Sequence, residues 1–156
     1  MSENYEEVIE GETTVRHGPD ERHERICERL HLSLFACAAN LESTRLLLPR
    51  SPVEFSSGNL FRPDLTLVTA ATGKPWLAAE VIDSRDHRPD TVAKKGIYED
   101  LRLPRLWMVD PRYNNVEVYH GTRYGLSLVG ILAIREVLTE KLLPGFELKV
   151  GELFEA

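Results

Sequence analysis

Residues 64–68 (DLTLV) and 76–82 (WLAAEVI) decide the fold of this chain. Both stretches are rich in residues that favour β-strands, and the second is apolar on both of its alternating faces. A strand covered on both faces is typical of the centre of a sheet. The short connection over residues 69–75 predicts a hairpin that pairs the two strands side by side.

Each of these strands carries one acidic residue, Asp64 or Glu80. If Val68 faces Trp76 across the hairpin, the same register places Asp64 opposite Glu80, with Cβ atoms about 4.5–5.5 Å apart. Alternation puts Glu80 on one face with Trp76 and Ala78. Two buried carboxylates in this position repel unless a cation lies between them, and oxygen ligands suit Mg²⁺ or Mn²⁺.

A third charged group, Lys94, is expected near this pair. The helix predicted from about residue 90 to 101 places Lys94 on one stripe with Ile97 and Tyr98. Such a lysine seeks an anion, and carboxylates, a metal-bound hydroxide or a phosphate would each serve. Simpler alternatives stay open: Asp64 ends a loop, Glu80 pairs with a buried Arg or Lys, and Lys94 extends its stem to solvent.

The remaining pattern predicts one α/β or α+β domain over residues 1–156, with a mixed sheet. The acidic start, through about Glu7, is expected to fray, and residues 56–59 to form a turn. The other predicted elements are a helix over 20–41, an irregular edge strand over 46–55, strands over 105–109, 116–119 and 124–129, and a strand and short helix after residue 143.

Composition limits the classes of function. The chain of 156 residues is 42% hydrophobic and 28% charged, which is typical of a globular protein. No apolar run is long enough for a membrane helix and no apolar signal core is seen, so we expect no membrane partner and a cytoplasmic location. Cys27 and Cys37 fall about 15 Å apart on one predicted helix, too far for a disulfide.

The net charge of −6 counts against a long nucleic-acid footprint. A basic stretch nevertheless follows the second strand. Within it Arg85, Arg88 and Lys95 are candidate contacts to a nucleic-acid backbone, with plain solvated surface as the alternative.

Several motifs in series resemble the Uma2 family of endonucleases, which belongs to the restriction-endonuclease-like superfamily with its PD-(D/E)xK motif. Segments at both ends of the chain add to the likeness, which runs from about Tyr5 to Phe154. The motifs are residues 5–12 (YEEVIEGE) with His23, 62–65 (RPDL), 79–82 (AEVI), 90–98 (DTVAKKGIY), 106–111 (LWMVDP), 116–119 (VEVY) and 143–146 (LPGF).

The resemblance implies a restriction-endonuclease-like mixed β-sheet core flanked by helices. It implies a metal held by Asp64 and Glu80, with the backbone carbonyl of Val81 as a further ligand. Lys94 would take the place of the motif's lysine, because the position two after Glu80 is Ile82.

Three further residues, Glu12, His23 and Asp83, also correspond to family positions. Glu12 and His23 match positions that border the site, although a structural core histidine explains His23 equally well. Asp83 departs from the family pattern, where serine is expected, and the extra acid would alter metal affinity or mark a decayed site.

The sequence therefore predicts a Mg²⁺- or Mn²⁺-dependent nuclease that hydrolyses phosphodiester bonds, with DNA as the expected nucleic acid and a homodimer as the expected assembly. The competing interpretation is a catalytically inactive nuclease fold that binds a protein partner. A hydrolase of small phosphate esters is a third alternative, and the sequence contains nothing specific for it.

Overall fold

The computed structural model describes residues 3–83, 85 and 89–156, with the backbone alone at residues 89–91. The elements in the first half of the chain are β1 (Tyr5–Ile9), β2 (Glu12–Arg16), α1 (Glu21–Ala38), β3 (Thr44–Leu46), β4 (Val53–Ser56), β5 (Asn59–Phe61), β6 (Leu65–Thr69) and β7 (Pro75–Val81). Those in the second half are a π-helical segment (Pro89–Lys94), α2 (Lys95–Asp100), β8 (Arg105–Asp110), β9 (Asn115–Thr122), β10 (Gly125–Leu132), β11 (Val137–Thr139), β12 (Glu147–Lys149) and α3 (Gly151–Phe154).

The central sheet has six strands in the order β10-β9-β8-β7-β6-β3. The pair β7–β8 is parallel, and the other described pairs of this sheet are antiparallel. The parallel pair needs a crossover, which contains the π-helical segment and α2. The predicted mixed α+β architecture is therefore confirmed.

Apolar side chains cover both faces of β7. Leu77, Ala79 and Val81 join the core beneath α1 and α3, whereas Ala78 joins Ile97 and other residues of the core beneath α2. The prediction of a central, covered strand is thus correct.

Trp76 is an exception to the predicted alternation. It packs against the core on the α1 side rather than sharing a face with Ala78. The register between β6 and β7 shifts after Leu67, so that Val68 pairs with Pro75. This bulge inserts an extra residue and rotates the following side chain, which is why the expected facing of Val68 and Trp76 is wrong.

Residues Tyr5–Ile9 form the strand β1, which corrects the expectation that the segment through about Glu7 frays. β1 pairs with β2 and with β5 in a second sheet, in the order β2-β1-β5-β4. The two residues of the β1–β2 turn, Glu10 and Gly11, have φ of 51° and 83°, as a tight hairpin with two positive φ angles requires. Glu7, on β1, is only 1% exposed.

Residues 46–55 also differ from the prediction of a single irregular edge strand. The segment ends β3 in the central sheet and begins β4 in the second sheet. Pro49 and Pro52 lie between these strands, where neither must donate to a ladder. The predicted turn at residues 56–59 connects β4 to β5, a strand that the sequence pattern did not reveal. β11 and β12 form a separate two-stranded sheet.

The helix predicted over residues 20–41 is confirmed as α1. Asp20 caps it by accepting a hydrogen bond from the backbone N–H of His23 at 2.8 Å. Both cysteines are free thiols, in agreement with their predicted separation. Among the described residues, no helix is both long and apolar enough to cross a membrane.

Candidate active site

Asp64 and Glu80 lie at the ends of the two paired strands. Asp64 directly precedes β6, and Glu80 is the last residue but one of β7. The pairing of Leu65 with Ala79 follows the predicted register. The facing of Asp64 and Glu80, one step further along that register, stays a prediction because Asp64 lies outside β6. The Val81 N–H donates to Oδ2 of Asp64 at 2.8 Å, which fixes this carboxylate at the strand end.

Asp64 is buried, at 3% exposure, among groups next to α1. Its Oδ1 lies 3.1 Å from Nε2 of His23 and 3.1 Å from Nη1 of Arg50. Burial alone would raise the pKa of Asp64, but the charge and hydrogen bond of His23, the Val81 N–H and the Arg50 guanidinium outweigh it. Together they lower the pKa to about 2. Asp64 is therefore an anion throughout the physiological pH range.

Glu80, also 3% exposed, takes different partners. Its Oε1 lies 2.6 Å from Nζ of Lys94 and accepts a hydrogen bond from the Tyr98 hydroxyl at 2.8 Å. Lys94 is 1% exposed, and its Nζ also lies 2.9 Å from Oε2 of Glu7. The ammonium is therefore shared by two buried carboxylates.

Glu7 is the component of this cluster that the sequence pattern missed. Besides Lys94, it accepts a hydrogen bond from the backbone N–H of Arg62 at 2.6 Å and contacts Arg16 at 3.4 Å. A signal was present in the alternation of β1 followed by the turn at Glu10 and Gly11, which indicates a hairpin and makes Glu7 an inward-facing residue.

The Tyr5 phenol lies within the electrostatic influence of both Asp64 and Glu80. It is on β1, two residues before Glu7, and is half-buried. Burial raises the pKa of the Tyr5 phenol, and the negative charges of Asp64, Glu80 and Glu7 raise it further. The phenol is therefore neutral and lies within the electrostatic reach of all three acids.

Arg50 is a second residue that sequence reasoning did not identify. Its guanidinium spans from Asp64 to Glu24 on α1. It comes from the loop after β3, where its backbone has a φ of 55° and its N–H bonds to the carbonyl of Pro63 at 3.1 Å. A lone arginine in an irregular segment gives no local pattern, so only the tertiary structure reveals its role.

The remaining predicted site residues are distributed as follows. His23 is buried and contacts Asp64, as described above, whereas Glu12 is exposed at the start of β2. Arg85 is exposed and bonds to the Asp83 carboxylate and to the carbonyl of Gly18. The Nζ of Lys95 lies 4.2 Å from the centroid of the Tyr119 ring. Arg88 lies outside the described residues.

Asp83, the departure from the family pattern, is tied to Arg85. Burial acts to raise the pKa of Asp83, but the hydrogen bonds and charge of Arg85 outweigh it and lower the pKa. The charges of Asp83 and Arg85 therefore neutralise each other just after the end of β7, with oxygen–nitrogen distances of 2.7–3.0 Å.

The fold has a solved counterpart. The chain is similar to a crystal structure from Anabaena variabilis described as "a putative nuclease belonging to DUF820", with a TM-score of 0.81 and 15% sequence identity. The match covers 98% of this chain and 91% of that chain. No curated protein matches the sequence. The chain thus shares the α+β fold of that structure.

The sequence also matches the model of a protein family. The Uma2 family model, described as "Putative restriction endonuclease", matches residues 2–151. The chain belongs to the Uma2 family.

Proposed function

We propose that this protein is a divalent-metal-dependent endonuclease that hydrolyses phosphodiester bonds of nucleic acid, with Asp64, Glu80 and Lys94 as its catalytic residues. The observation that carries the proposal is the 2.6 Å contact of Lys94 with Glu80, both buried, beside the end of the strand that presents Asp64. Burying such charges costs free energy and adds little stability, so a buried acid–lysine cluster favours a catalytic role. Membership of the Uma2 family agrees with this assignment.

The donor set fits a hard divalent cation. Asp64 and Glu80 offer carboxylate oxygens from adjacent strand ends, and oxygen ligands suit Mg²⁺ or Mn²⁺. We propose that these two residues hold the ion and that the Val81 carbonyl assists. The bound ion would supply an activated water and charge stabilisation at the phosphoryl group.

The protein's own groups have distinct tasks in this proposal. Lys94 donates hydrogen bonds to the attacking water or to a phosphoryl oxygen, where negative charge develops. Glu7 gives the ammonium a second acceptor, which keeps Lys94 in place when Glu80 turns toward the ion. His23 and the Val81 N–H orient the Asp64 carboxylate.

The proposed substrate is DNA, reached through the basic stretch after β7. We propose Arg85, Arg88 and Lys95 as contacts to the phosphate backbone, with the accessory residues Glu12 and His23 adjusting the site. We also propose that the whole chain acts as one domain and assembles as a homodimer. The outer strand of the central sheet, β10, has exposed apolar side chains that a second copy would cover, namely Leu128, Val129 and Ile131.

A non-catalytic binding module is the second candidate. It is favoured by the charge balance of the site, because the three acids Glu7, Asp64 and Glu80 each contact a cationic side chain of the protein itself. The net charge of −6 points the same way. A melting temperature that does not respond to Mg²⁺ or Mn²⁺ would support this candidate, because an ion that binds the native state must stabilise it.

The test is a DNA cleavage assay with Mg²⁺ or Mn²⁺ on the wild type and the near-isosteric variants Asp64→Asn, Glu80→Gln and Lys94→Met. The matched control is Glu140→Gln, because Glu140 is also buried and ion-paired, with Arg105 at 2.7 Å, but lies between β11 and β12. We expect the control to keep its activity and the three variants to lose at least about 100-fold in rate. Cleavage that persists in all three would reject the assignment.

A further inference from the structure

A histidine, a cysteine and an aspartate converge beneath α1. His23 and Cys27 are four residues apart on one face of the helix, and Asp64 approaches them from the start of β6. One ligand atom from each residue lies within 4.8 Å of the others, and all three side chains are buried. The nuclease proposal uses the Asp64 carboxylate but leaves the Cys27 thiol without a task.

We propose that His23, Cys27 and Asp64 form a site for a borderline-soft divalent cation, with Zn²⁺ as the expected ion. Imidazole nitrogen, thiolate sulfur and carboxylate oxygen are the ligands that Zn²⁺ takes in proteins. With metal–ligand bonds of about 2.0–2.3 Å, tetrahedral ligands lie roughly 3.3–3.8 Å from one another. The observed spacing therefore needs side-chain shifts of only about 1 Å.

The Arg50 guanidinium now contacts two of the three ligands. Its Nη1 lies 3.1 Å from Oδ1 of Asp64 and 3.9 Å from Sγ of Cys27. The cluster thus already attracts a cation, and a metal ion must replace the guanidinium. Arg50 can turn outward with Glu24, its other partner, because the Glu24 side chain is 40% exposed.

Cys27, one of the three proposed ligands, borders a groove at the surface. A groove of about 450 Å³ runs between α1 and the loop after β3, and Glu24, Cys27 and Arg50 are among its lining residues. Three protein ligands leave the fourth position of the ion to water, which is the arrangement of an open rather than a closed structural zinc site. Zn²⁺ also overcomes the raised pKa that burial gives the Cys27 thiol, because the ion replaces the thiol proton.

The site would regulate the enzyme, a consequence that rests on the proposed nuclease function. Asp64 belongs to both ligand sets, so a zinc ion held by His23 and Cys27 withdraws this carboxylate from Mg²⁺ or Mn²⁺. Zn²⁺ is therefore expected to inhibit cleavage. Inhibition through the proposed site requires the Cys27 thiol, whereas simple displacement of Mg²⁺ or Mn²⁺ by Zn²⁺ would not depend on Cys27.

Cobalt(II) is the probe for the site, since it replaces Zn²⁺ and reports thiolate ligation through a ligand-to-metal charge-transfer band. The full chain is titrated with Co²⁺ as wild type, Cys27→Ser and Cys37→Ser. Cys37 is the matched control because it lies on the same helix, half-buried and away from Asp64. We expect one Co²⁺ per chain with the thiolate band in wild type and Cys37→Ser, and an affinity at least about 100-fold lower without the band in Cys27→Ser. A wild type without the band, or a band that survives in Cys27→Ser, would overturn the proposal.

Two additions keep the test decisive. If Cys27→Ser does not fold, X-ray absorption of the zinc-loaded wild type replaces it: one sulfur neighbour supports the site and none refutes it. In the cleavage assay, added Zn²⁺ should lower the cleavage rate of wild type and of Cys37→Ser. It should not lower the cleavage rate of Cys27→Ser. A wild type that shows the cobalt–thiolate band and cleaves no DNA would contradict the nuclease function and leave the metal site standing.

Discussion

Nζ of Lys94 lies 2.6 Å from Oε1 of Glu80, and both side chains are almost completely withdrawn from solvent. The contact joins the crossover between β7 and β8 to β7 itself, at the end of the strand where Asp64 also lies. Glu7 shares the ammonium at 2.9 Å and thereby ties the N-terminal hairpin to the central sheet. One buried cation thus holds together elements that are distant in sequence.

Loss of this cation should destabilise the fold strongly. Removing one partner of a buried ion pair costs about 3–5 kcal/mol, and Lys94→Met deprives the Glu80 and Glu7 carboxylates of the ammonium that they share. Arg112→Met is the comparison, because the Arg112 side chain is 36% exposed where it pairs with Asp110, so its loss should cost only about 1 kcal/mol. Urea denaturation measures both values, and equal losses would show that the Lys94 pair is screened by water.

Glu7 is expected to be a positioning residue that acts through Lys94. Glu7→Gln keeps an acceptor for the Arg62 N–H but weakens the hold on the ammonium, so we expect the cleavage rate to fall about tenfold. The Mn²⁺ concentration that gives half the maximal rate should stay unchanged, as should the activity of the control Glu54→Gln, an exposed residue on β4. A shifted Mn²⁺ requirement would instead make Glu7 a metal ligand.

Asp64 should make stability depend on acid pH. Its pKa is about 2 in the folded protein against an ordinary value of 3.8, a depression worth about 2 kcal/mol. Because the folded pKa is the lower one, this stabilisation is present above the unfolded pKa and is lost as the pH falls through the folded pKa. The difference in unfolding free energy between wild type and Asp64→Asn should therefore shrink by about 2 kcal/mol from about pH 5 to about pH 2. A constant difference would contradict the ionic environment described here.

Arg50 should compete with a metal ion for Asp64 and Cys27. Arg50→Gln removes the guanidinium from both ligands, so the Co²⁺ affinity of the full chain should increase about tenfold, equivalent to about 1.4 kcal/mol. Arg112→Gln is the control, since Arg112 pairs with Asp110 rather than with the cluster. Weaker Co²⁺ binding in Arg50→Gln would mean that the guanidinium organises the ligands instead of competing for them.

The β1–β2 turn should be sensitive to the loss of its glycine. Gly11 has a φ of 83°, so Gly11→Ala is expected to cost about 1–2 kcal/mol from backbone strain alone, although a Cβ there has free space. Gly96 in α2 has equal space and no positive φ, and Gly96→Ala should stabilise the protein by about 0.5–1 kcal/mol. Thermal unfolding distinguishes the two, and the same sign for both would refute this account of the turn.

The sequence correctly predicted the features of the fold that depend on local patterns of apolar residues. The apolar run of β7 and the spacing of the hairpin indicated the strand pairing, and the register of Leu65 with Ala79 follows from them. The same reasoning failed at Trp76. A bulge changes the face on which one side chain lies, but it does not alter the apolar alternation that can be seen in the sequence. The facing of a side chain therefore needs the ladder itself.

Contacts between residues that are distant in sequence could not be predicted from local sequence patterns. Glu7 appeared as part of an acidic, polar start, yet the hairpin turns it inward to Lys94 and Arg16. Arg50 sits in a loop between strands of two different sheets, and no periodicity relates it to Asp64. Both contacts depend on how distant segments pack, which a single sequence read locally does not encode.

The most direct measurement is the crystal structure of the wild-type chain soaked in Mn²⁺, with the ion located by its anomalous scattering. We expect a peak bonded to carboxylate oxygens of both Asp64 and Glu80, with Lys94 Nζ still bound to Glu7. An ion bound elsewhere, or no ion while Lys94 remains on Glu80, would contradict the proposed metal site.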